Sequence, residues 1–467
     1  MSLQLMQRMG IHSAENRADR QTFESLPEGG EVQAWETLPA AQQASIAQAV
    51  APDVTVSGVA YPSTPAALAA MVQADDRQPL LPCGAGSKLA WGGLVGGLKD
   101  KEKTLPLLVV STERLNRLID HAIGDLTVTV EAGMRFADVQ ATLATAGQYL
   151  PIDPAYPDHA TIGGIIATAD TGSLRQRYNG VRDLLLGVSI VRADGQVAKA
   201  GGRVVKNVAG YDLMKLFTGS YGTLGIITQA TLRVYPLPEA SQTIVLSGEA
   251  AAIAHATQLL LSSSLTPASA DLLSESIAAA MDVGKGTALA VRFQSMMPSV
   301  QEQTNRMIEV SKALGLAIAS FSGTDDTALW QRLRERLTAA PPISAITCKI
   351  GIRPSATVAL LAILTQHHNE LTIAPESGQL PLAQIHAASG LGRLLLDAAT
   401  PPETLLNIRS FCQENGGFLS ILQAPVALKQ AIDVWGYNGN ALYLMRQLKQ
   451  QFDPQNRLSP HRFVGGI

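Results

Sequence analysis

Hydrophobic and polar positions alternate from Asp125 to Glu131 (DLTVTVE) with the two-residue period of a strand, and Gly133 ends the run. Phe136, Val139 and Leu143 then recur at helical spacing, and Gly147 supplies a C-terminal stop. Similar units flank this one. Val54 to Val59 reads as a strand, and Ser63-Thr64-Pro65 opens a helix that continues from Ala66 to Ala74. Pro79 to Pro82 and Leu107 to Val110 are short extended runs. Leu184 to Arg192 is a strand closed by a hairpin at Ala193-Asp194-Gly195-Gln196, where Asp-Gly suits a two-residue turn. Asp212 to Phe217 predicts one or two helical turns, and Thr223 to Val234 a long strand that Pro236 and Pro238 terminate.

Beyond about residue 239 glycine thins and the period changes. Helices are predicted near 250–263, 299–314, 326–338, 355–367, 402–414 and 440–451, and strands near 287–294, 343–352, 382–388, 392–397 and 417–423. Helices backing an antiparallel sheet make an α+β unit. The last residues, FDPQNRLSPHRF, are turn-rich and are expected to pack back on the first half. At the other end, residues 1–50 mix acids, glutamines and alanines, with one helix expected between Pro39 and Val50.

Three segments break the periodicity with small residues: Cys83-Gly84-Ala85-Gly86-Ser87-Lys88, Thr161 to Ser173, and Gly219-Ser220-Tyr221-Gly222-Thr223-Leu224-Gly225. Glycine costs conformational entropy, so its repeated use points to close backbone approach. The first loop can present successive N–H groups to a pyrophosphate, and Lys88 adds charge. A dinucleotide fingerprint that opens an amphipathic helix is a poor match, because Trp91-Gly92-Gly93-Leu94-Val95-Gly96-Gly97 is weak helix material. A surface turn and a packed turn-and-helix are the plainer alternatives for the first two segments. The recurrence of all three within about 150 residues favours a ligand.

Composition narrows the class. The chain has 467 residues, 46% apolar and 16% charged, which suits two or three globular domains. A net charge of −3 supplies no basic field for nucleic acid. Cys83, Cys348 and Cys412 are far apart, so an iron–sulfur or metal site from this chain alone is not expected. No apolar run approaches the roughly 20 residues of a membrane span, and the N-terminus is too polar for a secretory leader. The expected location is the cytoplasm, or the periphery of the inner membrane.

The loop PCGAGSK, the segment DPAYPDHATIGG, the RADG hairpin and GSYGTLGIITQATLRV occur in that order and together resemble the vanillyl-alcohol oxidase / p-cresol methylhydroxylase (PCMH) type of FAD-binding fold. The block KNVAGYDL and the tail FDPQNRLSPHRF are similar to the FAD-binding subunits of bacterial glycolate oxidase (glycolate dehydrogenase) and to related D-2-hydroxyacid dehydrogenases. This resemblance implies an α+β chain: an extension at 1–50, a two-subdomain PCMH-type FAD-binding domain at 51–236, an α+β cap with an antiparallel sheet at 237–450, and the tail at 451–467. It places FAD against Pro82, Gly84, Ala85, Gly86, Ser87 and Lys88 at the pyrophosphate, and against Pro154, Thr161, Ile162, Gly163, Gly164, Thr168 and Ser173 along the flavin and ribityl chain. Gly222, Gly225, Ile226 and Ile227 would give backbone contacts. Ser87 stands where some members carry a covalently linked histidine, so noncovalent FAD is implied; His159 lies near a second attachment position of other members.

The resemblance also implies a small 2-hydroxy acid substrate (glycolate or D-lactate), hydride transfer to flavin, and a sister flavoprotein subunit with an iron–sulfur subunit as partners. It breaks in the cap. Relatives carry a metal motif like HGxxGxGNxH, whereas His386-Ala387-Ala388-Ser389-Gly390-Leu391-Gly392-Arg393 retains one histidine and the glycines. His386 and Arg393 remain as catalytic candidates, and His367-His368, adjacent on a helix, diverge. Two readings stay open: a dehydrogenase subunit, or a flavin-bearing electron-relay or structural subunit without its own turnover.

Overall fold

In the computed structural model, residues 29–100, 103–202, 211–338, 345–370 and 381–467 are described, the side chains of 99, 100, 103 and 366–370 apart. Residues 1–28 and the Lys206–Gly210 part of the KNVAGYDL block lie outside the described residues, as do the side chains of His367 and His368.

Three sheets organise the chain. The first has the order Gly30–Ala34, Val56–Pro62, Leu107–Ser111, Leu80–Cys83; its last three strands are parallel. Helix Pro65–Ala74 crosses over it, capped by Thr64, whose side chain accepts from Ala67 N at 3.0 Å, with proline in the first turn. The second sheet is antiparallel: Val197–Gly201, Leu185–Val191, Ile226–Arg233, Thr127–Glu131, Leu118–Ala122. Phe136, Val139 and Leu143 of helix Phe136–Ala144 are buried in its core, as their spacing predicts.

The third sheet holds eight antiparallel strands, ordered Ala317–Ser322, Ala240–Gly248, Thr287–Ser295, Ser269–Leu273, Leu382–His386, Leu391–Asp397, Ala345–Gly351, Phe418–Gln423. Helices cover both faces. Ala250–Ser262, Met297–Leu314, Thr357–Glu370 and Pro402–Glu414 pack on one side, Glu275–Ala280 and Gly323–Arg336 on the other.

Some elements differ from their sequence-based expectation. The strand expected from Thr223 starts at Ile226, because Tyr221 and Gly222 adopt positive φ and complete a turn first. The hairpin is not a two-residue turn. Arg192 N donates to Gln196 O at 3.0 Å and Gly195 N to Arg192 O at 2.9 Å; Gly195 has φ +76° and Asp194 does not share its positive φ. That is the three-residue form, in which only the last loop position is left-handed. Strand Ser269–Leu273 shows no alternation, because all five residues are buried, Asp271 included.

The tail is bound to the first half through Arg457. Its guanidinium donates to Gln78 O (3.1 Å), Val72 O (3.3 Å), Ala193 O (2.8 Å) and Asp75 O, and its own amide donates to Asp453. Leu80 N donates to Arg457 O at 2.8 Å, and Ser459 N to Leu80 O at 2.8 Å, so the tail runs beside strand Leu80–Cys83. Replacing Arg457 by Met keeps the volume and leaves four backbone carbonyls without their donor, those of Val72 and Ala193 buried. Guanidinium unfolding of Arg457→Met should show a loss of about 3 kcal/mol, the scale of a charged hydrogen-bond set with its acceptors orphaned.

Candidate functional site

A cleft opens where the first two sheets meet, and the three small-residue segments line it. Each contact between them has a steric reason. A Cβ on Gly84 would stand 2.0 Å from Thr161 Oγ1, so only glycine lets the loop after strand Leu80–Cys83 touch the second segment. Thr161 caps the seven-residue helix Ile162–Thr168, its side chain accepting from Gly164 N at 3.3 Å. Gly163 N donates to Ala132 O at 2.7 Å, and a Cβ there would meet the Ala132 Cβ at 2.8 Å. The third segment is tied to the second: Gly219 N donates to Ile166 O (2.9 Å) and Tyr221 N to Ala167 O (2.8 Å).

The cleft encloses about 680 Å³ of atom-free space, open solvent included. Gly86 has φ +79°, and among the described residues the amides of Ala85, Gly86, Ser87 and Lys88 have no protein acceptor. Such a run of free N–H groups is a cradle for phosphate oxygens. Cys83 also lines the cleft, but burial pushes its thiol up to about 12, so it is not a thiolate nucleophile.

Of the residues singled out in the sequence, Pro82, Gly84, Ala85, Gly86, Ser87, Lys88, Thr161, Gly163, Gly164, Thr168, Gly222, Gly225, Ile226 and Ile227 are brought together around this cleft. Ile162 points into the core of the second sheet, Pro154 lines neither this cleft nor the next, and His159 is exposed. Ser173 faces a second cleft.

That second cleft lies between the first half and the eight-stranded sheet, and Thr168 lines both. Arg175, Arg334, Lys349 and Arg393 converge on it, with Asp153, Asp170 and His386. Asp170 bridges the two clefts. Its Oδ2 lies 2.7 Å from Lys88 Nζ and accepts from Ala155 N at 2.8 Å, while its Oδ1 accepts from Arg393 Nη2. Burial would raise the Asp170 carboxyl, but Lys88 and then Arg393 outweigh it and hold it below the usual range. His386, 6% exposed, has Nδ1 2.6 Å from Asp271 Oδ1, and Gln384 Nε2 donates to the other oxygen at 2.7 Å. A carboxylate only accepts, so Nδ1 carries a proton and Nε2 is the ring nitrogen left for a ligand. Burial, then Arg175, brings the Lys349 ammonium down to about 8, with Asp170 opposing.

Asp170, Asp271, Arg175, Arg334 and Lys349 had not been picked out by motif. Two of them have a local signal: Asp170 is a single acid within the small-residue run ATADTGS, and Arg175 opens the basic cluster at 175–182, which suits a solvated face or a phosphate contact. Among the described residues no three His, Cys, Asp or Glu side chains group as metal ligands, and no helix is long and apolar enough to cross a membrane.

Residues 56–201 match the family model described as FAD binding domain. The chain is 33% identical over 202 residues to glycolate oxidase subunit GlcD of Bacillus subtilis, covering 43% of this chain and 41% of that one. It is 38% identical over 168 residues to glycolate oxidase subunit GlcE of Escherichia coli, covering 36% and 45%. A probable mitochondrial D-lactate dehydrogenase of Danio rerio is 37% identical over 174 residues, covering 37% and 33%. The match thus spans less than half the length of these relatives. Among solved structures, alkyldihydroxyacetonephosphate synthase superposes with a TM-score of 0.64 at 17% identity, over 87% of this chain and 76% of that one. FgChi7B gives 0.63 at 14%, over 90% and 94%. These likenesses establish the PCMH-type α+β fold, and the domain match establishes FAD as the cofactor.

The Gly84–Thr161 contact tests the cradle. Gly84→Ala should yield folded protein with native far-ultraviolet circular dichroism but little or no retained FAD, read from the visible flavin spectrum after gel filtration. Retention at the wild-type level would show that the loop has room to shift.

Proposed function

We propose that this chain, which carries an FAD-binding domain, is an FAD-dependent oxidoreductase subunit of a glycolate oxidase-like assembly and oxidises a small 2-hydroxy acid such as glycolate or D-lactate. The observation that carries the reading is the second cleft: Arg175, Arg334, Lys349 and Arg393 face a space that shares Thr168 with the flavin cleft. With Lys88 included, five cationic groups meet three carboxylates, Asp153 and the buried Asp170 and Asp271, so the cleft favours an added anion.

FAD, when bound, supplies the two-electron acceptor. The free amides of Ala85 to Lys88 suit its noncovalent pyrophosphate, and Ser87 offers no imidazole for attachment. Lys349 and the arginines hold the substrate carboxylate. His386 Nε2 takes the hydroxyl proton, while Asp271 fixes the ring and stabilises it once charged. The location of the cleft between the two halves of the chain excludes water once substrate fills it. Electrons then leave to a partner, for which a sister flavoprotein and an iron–sulfur subunit are the candidates, in keeping with relatives that are named as glycolate oxidase subunits. A cytoplasmic or membrane-peripheral location suits such an assembly.

One observation favours the electron-relay reading. Arg393 is already committed to Asp170, and among the described residues His386 has no second histidine beside it in the cleft. Anaerobic addition of glycolate, D-lactate or another 2-hydroxy acid to the purified yellow chain separates the two. Bleaching of the flavin supports turnover here, and an oxidised spectrum with every acid supports the relay. His386→Gln should lower the bleaching rate by about 10²–10⁴, the worth of a positioned base. Lys349 makes a pH prediction. It is charged below about 8 and neutral above, so the affinity for a nonreactive carboxylate such as oxalate should fall as pH rises through that value. Lys349→Met should flatten that limb of the spectral titration.

A further inference from the structure

Arg462, in the C-terminal tail, is 4% exposed and lines the flavin cleft. Its Nη2 donates to Leu89 O at 2.6 Å and to Trp91 O at 3.1 Å. The opposite edge is different. Nε is buried with no hydrogen-bond partner, and Nη1 has none among the described residues. The guanidinium carbon stands 5.8 Å over the Tyr221 ring, which lines the same cleft.

No carboxylate pairs with Arg462 among the described residues. A buried neighbour held to the same loop has the same sign. Lys429, 7% exposed, donates from Nζ to Gly92 O at 2.9 Å and to Ala90 O. The carbonyls of 89–92, just after the phosphate-type loop, are therefore held by two cations with no acid between them. Burial brings Arg462 down to about 10, so it stays charged at neutral pH, and burial followed by Arg462 brings Lys429 to about 7. A buried guanidinium with free donors and a cationic neighbour is costly unless an anion arrives. The Tyr221 phenol and the Cys83 thiol, the acidic groups that could act on it, are both pushed up by burial and stay neutral.

We propose that Arg462 is a cofactor-positioning residue: its unpartnered Nε and Nη1 donors stand in the wall of the flavin cleft and hold negative charge of the bound FAD, while Nη2 ties the tail to the loop at 89–91. FAD carries negative charge in two places, the pyrophosphate and, on reduction, the pyrimidine end of the ring. A guanidinium, charged at neutral pH, can serve either through a single charge-assisted hydrogen bond from Nε or from Nη1.

The test uses the full chain stripped of FAD and reloaded. Arg462→Gln should bind FAD about ten- to a hundredfold more weakly, the range of one lost charge-assisted contact, and Arg462→Lys should recover part of it. ADP and riboflavin identify the contact. A matching loss for ADP with riboflavin unchanged puts it at the pyrophosphate. A matching loss for riboflavin, with a lowered flavin midpoint potential, puts it at the ring. Either result supports the proposal. Lys429→Met also loosens the 89–92 loop but removes a group that does not line the cleft, so it reports packing alone. The proposal is overturned if Arg462→Gln leaves FAD affinity and potential unchanged, or if Lys429→Met lowers FAD affinity as much as Arg462→Gln. Failure of the cofactor assignment itself would look different, because the wild-type chain would then take up no FAD at all.

Discussion

Asp170 is the hinge of the arrangement. Its carboxylate, 1% exposed, accepts from Arg393 of the eight-stranded sheet, faces Lys88 of the glycine loop at 2.7 Å, and accepts from the backbone of Ala155. A buried carboxylate with so many donors is held ionised, and removing it would leave two buried cations unmatched, a loss on the order of 3–5 kcal/mol for such pairs. The position of the phosphate-type loop, the closure of the third sheet on the first half and the charge of the second cleft all pass through this group. The cleft's preference for an anion follows from the same ion set. Asp170 neutralises one cation's worth of charge while two cations reach for it.

The small-residue segments act at closer range. Gly84 against Thr161 and Gly163 against Ala132 let backbones approach to distances a Cβ would forbid. Such constraints leave a mark in the sequence, because no other residue satisfies them. The first cleft was therefore largely legible as an opening: most of the residues drawn from the three segments do line it. The exceptions are instructive. Ile162 shares the segment but faces inward, since a helix turns consecutive residues to different sides. Pro154 lies in an extended loop, where no period tells which side faces a ligand.

The second cleft was legible at Thr168, Ser173, His386 and Arg393, but not at the acids that complete it. Its partners are joined over long sequence separations: Arg393 to Asp170 across 223 residues, His386 to Asp271 across 115. Asp271 sits in the middle of a strand whose five residues are all buried, so neither alternation nor a motif marks it. Lys349 likewise occupies a strand, Ala345–Gly351, that reads as core. Periodicity reports which face is apolar. It is silent about a polar group buried because a distant chain segment completes it.

Three arginines show how donor satisfaction separates structure from function. Arg457 is 2% exposed, and backbone carbonyls from two earlier segments take up its guanidinium, so it has little left to offer a ligand. Arg393 gives one edge to a carboxylate and stands in a cleft where cations exceed acids. Arg462 commits one nitrogen to two carbonyls and leaves the other two unpaired in a wall of the flavin cleft. Burial alone would rank the first as the most important. The unspent donors reverse that order for chemistry, because a buried N–H without a partner is tolerated in a native fold chiefly where a ligand or water completes it.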